Sequence, residues 1–293
     1  MKPTNKIIIL LFVLLFLVAC KGTPQGTLQY NFKQGYGNLV ISALENTPPE
    51  IIYPNSDFVI AVKLENQGAY DLTNGKLKIL GFDRNYISLD ETEQEIYSIE
   101  EEDILEGKSA LNPSGGFTYL EFKAKSKELF FGAETYLAKY QIQADYDYKT
   151  QLSHTVCLNP KPYDIFDSGC KVEPKVSLNG QGSPLAITLL EEIIYPGNNP
   201  QVEFRFTIQN KGKGRIKQVR INHARLTDRP LGCEFKNNPN PDRNIFDFKE
   251  DKQEVILSCK KPIEQQLSYS TTLYLDLSFS YTLKEKKQIT LKK

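Results

Sequence analysis

Glu50-Ile51-Ile52-Tyr53-Pro54 recurs without a change as Glu192-Ile193-Ile194-Tyr195-Pro196. Each copy is followed by a few turn-forming residues, an alternating apolar and polar run, and an Asn-x-Gly motif. That motif is Asn66-Gln67-Gly68 in the first copy and Asn210-Lys211-Gly212 in the second. A Gly-x-Gly pair precedes both copies, at residues 35–37 and 180–182. The repetition predicts two copies of one structural unit, about 145 residues apart.

The runs inside each copy indicate β-strands, because every second residue is apolar. These positions are Phe58, Ile60, Val62 and Leu64 in the first copy and Val202, Phe204, Phe206 and Ile208 in the second. Longer alternations occupy residues 136–148 and 273–281. The 16 Tyr and 16 Phe also favour strands. The sequence therefore predicts an all-β protein with two tandem immunoglobulin-like β-sandwich domains after an N-terminal signal segment.

Two local features refine this plan. Pro48-Pro49 interrupts the first strand of the first copy, which favours an edge strand that changes sheet partners. The Asn and Gly of each Asn-x-Gly motif are expected to supply the positive φ values of a tight turn.

The first 20 residues predict an export signal. Lys2 and Lys6 are basic, and residues 7–19 form an apolar segment shorter than the roughly 20 residues of a membrane span. The segment ends Leu17-Val18-Ala19-Cys20, which resembles the lipobox of prokaryotic lipoproteins. The resemblance implies that Cys20 is lipidated and anchors an extracytoplasmic chain, at the cell surface or in the periplasm, to a membrane. An uncleaved signal anchor is the alternative, and it tethers the chain from the same side.

Composition divides the chain into five predicted parts. These are a signal peptide at 1–20, a flexible tether at 21–37, a first β-sandwich at 38–156, a disulfide-containing linker at 157–183 and a second β-sandwich at 184–293.

Four cysteines remain after Cys20, and an even number in an exported chain predicts two disulfides. Four cysteines can form two disulfides in three alternative ways. Cys157–Cys170 and Cys233–Cys259 is favoured, because each bond then stays within one region. A zinc site is the alternative use of four cysteines, but the spacings contain no Cys-x-x-Cys.

Charge is unevenly spread along the chain. Residues 21–174 carry 14 Lys+Arg against 23 Asp+Glu, whereas residues 175–293 carry 20 against 13. The candidate anionic-ligand patch lies in the basic part and comprises Lys211, Lys213, Arg215, Lys217 and Arg220, with Arg225 and Arg229 further along. Such a patch suits an anionic glycan, a lipid headgroup or an acidic protein. The alternative is an exposed strand whose basic residues prevent aggregation through the sheet edge.

An acidic run lies in the least regular part of the chain. It comprises Asp90, Glu91, Glu93, Glu95, Glu100, Glu101, Glu102 and Asp103. Its spacing lacks the Asp/Asn/Gly pattern of a calcium loop, so a solvated loop or short exposed helix is expected and no metal site is predicted.

The residues that catalysis commonly uses are sparse. The only histidines are His154 and His223, at positions that the repeat does not relate. Gly-x-Ser-x-Gly, His-Glu-x-x-His and Walker-type motifs are absent. We therefore expect neither enzymatic activity nor a cofactor, and an envelope hydrolase built on paired carboxylates is the third-ranked function.

The block of apolar pair, Tyr-Pro, turn, alternating strand and Asn-x-Gly resembles the CARDB-type and related immunoglobulin-like domains of prokaryotic surface proteins. The resemblance covers about 40 residues of each copy. It implies a surface adhesion, spacing or scaffold role and no catalytic set. We therefore expect a structural, spacer or adhesion role, with an envelope protein or glycan as a candidate partner. The second-ranked function is a lipoprotein whose basic second domain binds a glycan or another anionic ligand. Nucleic acid is not expected as a partner of an exported chain.

Overall fold

The computed structural model describes residues 31–89, 97–99, 104–130, 132–164, 169–250 and 253–293, with the backbone alone at 97–99. The predicted signal segment, Cys20, residues 21–30 of the predicted tether and every residue of the acidic run lie outside this part of the chain. Phe32–Lys293 forms one compact unit.

All regular elements of the described residues are β-strands. In chain order they are β1 (Leu39–Ala43), β2 (Ile51–Ile52), β3 (Asp57–Asn66), β4 (Gly75–Leu80), β5 (Ile87–Leu89), β6 (Tyr97–Ile99), β7 (Phe117–Ser126), β8 (Thr135–Leu158), β9 (Lys175–Ser177), β10 (Leu185–Tyr195), β11 (Gln201–Asn210), β12 (Arg215–Leu226), β13 (Arg229–Pro230), β14 (Gly232–Phe235), β15 (Ile245–Asp247), β16 (Glu254–Pro262) and β17 (Tyr269–Lys292).

The strands form three sheets. The first half of the chain contributes a four-stranded sheet in the order β1-β3-β7-β5, and the second half a five-stranded sheet in the order β14-β16-β11-β10-β9. An eight-stranded sheet, which we call the shared sheet, takes strands from both halves in the order β13-β12-β17-β8-β4-β6, with β15 on β12 and β2 on β17. Buried residues of all three sheets belong to one continuous hydrophobic core, as expected for sheets packed face to face.

The centre of the shared sheet is the antiparallel pair of β8 and β17. Each strand has 24 residues, and they pair without a register shift from Thr135 opposite Lys292 to Leu158 opposite Tyr269. At roughly 3.3 Å per residue, this ladder is about 80 Å long. Through most of their length, apolar residues point to the core and polar residues point outward. The predicted all-β sandwich class is confirmed, whereas the count of two domains stays a prediction because this sheet belongs to both halves.

The two Ile-Ile pairs of the repeated motif lie in different sheets. Ile51–Ile52 forms β2, which pairs in parallel with the end of β17 in the shared sheet. Ile193 and Ile194 stay within β10 and pair with β11 in the five-stranded sheet. Pro48-Pro49 separates β1 from β2, and β10 contains no proline. The predicted change of sheet partner at the prolines is therefore confirmed.

The Asn-x-Gly motifs, in contrast, build the same structure twice. In the first copy the Asn66 side chain accepts a hydrogen bond from the Gly68 N–H at 3.1 Å and donates to the Tyr70 carbonyl at 2.8 Å. The Tyr148 hydroxyl donates to the Asn66 side chain at 3.1 Å and accepts from the Tyr70 N–H at 3.1 Å. The turn is thus fastened to β8 of the shared sheet.

The second copy repeats three of these four contacts, with Tyr281 of β17 in the place of Tyr148. The Asn210 side chain accepts from the Gly212 N–H at 3.0 Å and donates to the Gly214 carbonyl at 2.8 Å. The Tyr281 hydroxyl accepts from the Gly214 N–H at 2.7 Å. Two strands of one sheet therefore hold two equivalent turns, which supports the predicted duplication of this unit.

The expectation of positive φ at the Asn-x-Gly motifs is wrong. Neither the Asn nor the Gly of either copy has a positive φ. Glycine is required for space: a Cβ on Gly68 would lie 2.1 Å from the Tyr148 hydroxyl oxygen, and a Cβ on Gly212 would lie 2.1 Å from that of Tyr281.

The Gly-x-Gly segments of the two copies contact each other. The Gly35 N–H donates to the Asn179 carbonyl and the Gly182 N–H donates to the Gly35 carbonyl, both at 2.9 Å. Gly180 has a φ of 78°, and a Cβ there would lie 2.3 Å from the Gly35 oxygen. The C-terminal end of the predicted tether is thereby fixed to the folded unit.

Two disulfides join Cys157 to Cys170 and Cys233 to Cys259, the pairs that the sequence favours. Cys157 lies in β8, at the end of the ladder, and Cys233 lies directly opposite the buried Cys259 in the β14–β16 pair. Two disulfides indicate an oxidising, extracytoplasmic compartment. Within the described ranges, no helix has the length and apolar character that crossing a membrane requires.

Gly68→Ala should destabilise the fold by about 2–3 kcal/mol, because the new methyl group displaces the Tyr148 hydroxyl and breaks its two hydrogen bonds. Gly232→Ala is the control: it also adds a methyl group to a non-helical glycine, but the nearest atom is 3.8 Å away. We expect its effect to stay within about 0.5 kcal/mol. Urea denaturation measures both, and equal stabilities of the two variants would contradict the steric role of Gly68.

Candidate functional site

The predicted basic patch lies on β12 and on the turn that precedes it. Three of its five residues have acidic partners: Arg215 contacts Glu250, Lys217 Nζ lies 3.3 Å from an Asp145 carboxylate oxygen, and Arg220 lies 4.0 Å from Asp242. Lys211 and Lys213 are exposed and make no ion pair with any described residue. The five residues are therefore neighbours along the chain, but acidic side chains compensate most of their charge.

Asp145 connects the predicted patch to the first half of the chain. It lies on β8 and also accepts hydrogen bonds from Gln143 at 2.6 Å and Thr282 at 2.5 Å. Desolvation raises the pKa of this carboxyl, but the hydrogen bonds from Thr282, Gln143 and Lys217 outweigh desolvation and place the pKa below its ordinary value. Lys217 is thus part of a contact between β12 and β8 across the shared sheet.

A second basic surface lies on the outer face of the shared sheet, and sequence reasoning missed it. We call it the lysine face, and it comprises Lys78, Lys139, Lys284 and Lys286. Register places Gln143 opposite both Lys78 and Lys284, and Gln141 opposite Lys286. None of the four lysines makes an ion pair with a described residue.

Apolar side chains border the lysine face. Leu80 is 43% exposed and Leu137 is 47% exposed. The lysines come from β4, β8 and β17, which are far apart in sequence, so no local run of basic residues marks the surface. The available signal was the outward position of each lysine in an alternating strand.

The two histidines lie on different strands, His223 on β12 and His154 on β8, with β17 between them in the sheet. His223 is exposed. His154 has the same parity along β8 as the buried Leu152 and Val156, so its position belongs to the face of the sheet that meets the core. Among the described residues, no group of three or more His, Cys, Asp or Glu side chains is placed to hold a metal ion.

Opposite the end of β8 that carries His154 lies the buried carboxyl of Glu192, which the sequence marked as part of the repeated motif but not as a site residue. Glu192 is 5% exposed and alternates with the buried Leu190 on β10. Its Oε1 atom has no hydrogen-bond partner among the described residues. Desolvation raises the pKa of Glu192 to about 8, because burial penalises the charged carboxylate. Glu50, the same position in the first copy of the motif, is exposed.

A cavity of about 260 Å³ adjoins Glu192. Leu190 and Val176 line it from the five-stranded sheet, and His154 and Val156 line it from the shared sheet. The Cys157–Cys170 disulfide, Lys171, Glu173, Thr155 and Ser270 complete the wall. Lys171, Glu173 and Ser270 are exposed, so they mark the opening to solvent.

Glu203, on the neighbouring strand β11, shows how this sheet treats another buried carboxylate. It accepts hydrogen bonds from Arg205 at 2.8 Å, from the Tyr195 hydroxyl at 2.7 Å and from Ser258 at 2.7 Å. The Arg205 contact contributes most to lowering the pKa of Glu203, which is about 2. Glu203 is a satisfied ion, whereas Glu192 has an acceptor atom that no described residue occupies, beside an open cavity.

No protein-family model matches the chain, and no curated protein matches its sequence. Among solved structures, the secreted serine protease VesC from Vibrio cholerae aligns with 85% of this chain and 51% of its own, at 8% identity and a TM-score of 0.21. The chain thus spans about half the length of that protease. The collagen adhesin CNA from S. aureus aligns with 89% of this chain and 93% of its own, at 9% identity and a TM-score of 0.11. Neither likeness carries a functional argument.

Glu192→Gln should remove a pH dependence of stability. In the folded protein the pKa of Glu192 is about 8, whereas in the unfolded chain it is near 4.5. Between these pH values the folded protein binds the proton more tightly than the unfolded chain does, so stability falls as pH rises. Relative to the Gln variant, the wild type should lose as much as about 5 kcal/mol across this range, at about 1.4 kcal/mol per pKa unit.

Urea denaturation from pH 4 to pH 9 measures the difference between the two proteins. Glu50→Gln is the matched control, since it changes the exposed residue of the same motif and should follow the wild type at every pH. Parallel profiles of the wild type and Glu192→Gln would show that Glu192 does not hold the proton.

Proposed function

We propose that the chain is a membrane-anchored extracytoplasmic lipoprotein whose CARDB-type, immunoglobulin-like sheets serve a structural, spacer or adhesion role. The proposed anchor is a lipid on Cys20, and the proposed partner is an envelope protein or glycan. The observation that supports this role most is the uninterrupted β8–β17 ladder.

A ladder of about 80 Å suits a spacer, because it bridges a long distance without a flexible joint. The ladder belongs to both halves of the chain, and both halves contribute to one core, so bending at its middle would break buried contacts. The Cys157–Cys170 bond ties the following loop to one end of the ladder. A rigid body of this kind can hold a binding surface at a defined distance from its anchor.

A role without catalysis fits the positions of the two histidines and of the ionised Glu203. His154 and His223 lie on different strands, and Glu203 is occupied by hydrogen bonds from three side chains. An envelope hydrolase would need a base and a reacting group close together, and the arrangement of these residues does not favour one.

The second candidate function is binding of an anionic glycan, and the lysine face favours it. Four lysines that make no ion pair with any described residue lie on adjacent strands of one sheet, where their charges can meet a polyanion. The predicted patch at Lys211, Lys213, Arg215, Lys217 and Arg220 is a weaker candidate, because three of its residues are ion-paired. Its Arg215 and Lys217 contribute instead to contacts within the protein.

The anchored role predicts that Cys20→Ser releases the chain from the membrane fraction of the producing cells and prevents stable contact with an envelope partner. A photo-crosslinking amino acid at Ser153, exposed on the outer face of the ladder, should trap one recurrent partner in cells with the native Cys20 and none with Cys20→Ser. Intact mass of the extracted protein reports the lipid. A retained Met1, or equal crosslinking of both proteins, would contradict the proposal.

The anionic-ligand role predicts that replacing Lys78, Lys139, Lys284 and Lys286 with Gln weakens binding to dextran sulfate at least tenfold at low salt. The matched control replaces Lys211, Lys213, Arg215 and Lys217 with Gln, which removes the same number of charges from a surface where two of the four side chains are ion-paired. We expect the control to lose much less affinity in a filter-binding assay. Equal losses in both variants would assign the binding to net charge alone.

A further inference from the structure

We propose that the cavity between the five-stranded sheet and the shared sheet binds a small primary amine as its ammonium ion, with the Glu192 carboxylate as the principal acceptor. This inference concerns a small ligand in a cavity on the inner side of the shared sheet, whereas the lysine face is on the outer side of that sheet. It does not depend on the anchored, structural role.

The cavity is built at a defined place in the fold. Glu192 on β10 and His154 on β8 occupy inward positions of two opposing sheets, where the alternation of both strands otherwise favours apolar residues. Both residues line the same cavity. Apolar residues at these two facing positions would pack together and fill the space between the sheets. Glu192 and His154 leave a cavity with polar walls there instead.

The chemistry of Glu192 specifies what the space can hold. A buried polar atom without a partner destabilises the folded state, and native interiors leave few such atoms. An ammonium group has three N–H donors and a positive charge, so it can satisfy Oε1 and stabilise the ionised carboxylate together. The His154 ring lines the same cavity and places a second polar side chain beside the ligand.

The size and walls of the cavity limit the ligand. Water occupies roughly 30 Å³ per molecule in the liquid, so about 260 Å³ admits a ligand of about eight non-hydrogen atoms at most. Leu190, Val156 and Val176 provide apolar contact for a short alkyl chain. At the opening, Lys171 and Glu173 carry opposite charges, so the preference for an ammonium ion comes from Glu192 inside the cavity.

Proton balance gives the inference a distinctive signature. Without ligand at neutral pH, Glu192 holds a proton, as its raised pKa requires. An ammonium ion that binds to the carboxylate form displaces this proton into solvent, so one ligand binds and close to one proton is released at pH 7. A neutral hydrogen-bonding ligand would bind without this release.

Isothermal titration with propylammonium chloride at pH 7, in two buffers of different ionisation enthalpy, measures affinity and proton release together. We expect saturable binding with one site and release of close to one proton. Glu192→Gln should weaken binding at least tenfold and abolish proton release. Glu50→Gln, which changes the exposed residue of the same motif, should bind like the wild type.

Two further measurements keep the outcome decisive. Circular dichroism tests that Glu192→Gln is folded, and amide chemical shifts of the wild type should change first around Leu190 and His154 when propylammonium is added. Absence of saturable binding, equal affinity of Glu192→Gln, or equal affinity for propionamide would overturn the proposal. Loss of the Cys20 anchor would not affect any of these results.

Discussion

The β8–β17 ladder is the constraint on which the rest of the structure depends. Each of these strands is the last strand of its half of the chain, and each is the central partner of the other. Without this pairing, each strand would leave a 24-residue edge open to association with another chain. The pairing removes this edge and places the remaining strands of the shared sheet on both sides of the ladder. It also brings the two small sheets against a common layer, which is why the core is continuous.

The duplicated motif shows which parts of a repeated unit survive a change of surroundings. The Asn-x-Gly turn keeps three of its hydrogen bonds in both copies, because a tyrosine hydroxyl from the ladder reaches it in each case. The Ile-Ile pair does not keep its partner: two prolines divide the first strand, and its second part joins the shared sheet. The structure of a turn is determined by hydrogen bonds among a few neighbouring residues. The pairing of a strand is determined by which sheet edge lies next to it.

Buried and surface charges follow one physical rule, namely that a charge is stable where donors or counter-ions surround it. Glu203 is ionised among Arg205, Tyr195 and Ser258, and Lys217 is compensated across the sheet by Asp145. In the lysine face and in the Glu192 cavity, ionisable side chains lack such partners among the described residues. The lysines reach solvent from an outer sheet face, whereas burial raises the pKa of the enclosed Glu192 carboxyl and keeps it protonated. Both places therefore have interactions left to offer a ligand.

Alternation and spacing along the sequence were sufficient to predict the all-β class, the interruption at Pro48-Pro49 and the favoured disulfide pairs. These features depend on residues close in sequence or on the direction of each side chain along a strand. Only the tertiary structure decided that the halves share a sheet, that Asp145 compensates Lys217, that distant lysines form one face, and that Glu192 is buried while its counterpart Glu50 is exposed. The physical reason is that alternation determines which face of a strand is apolar, but strand order and register, which arise from contacts more than 100 residues apart between β8 and β17, determine what that face meets.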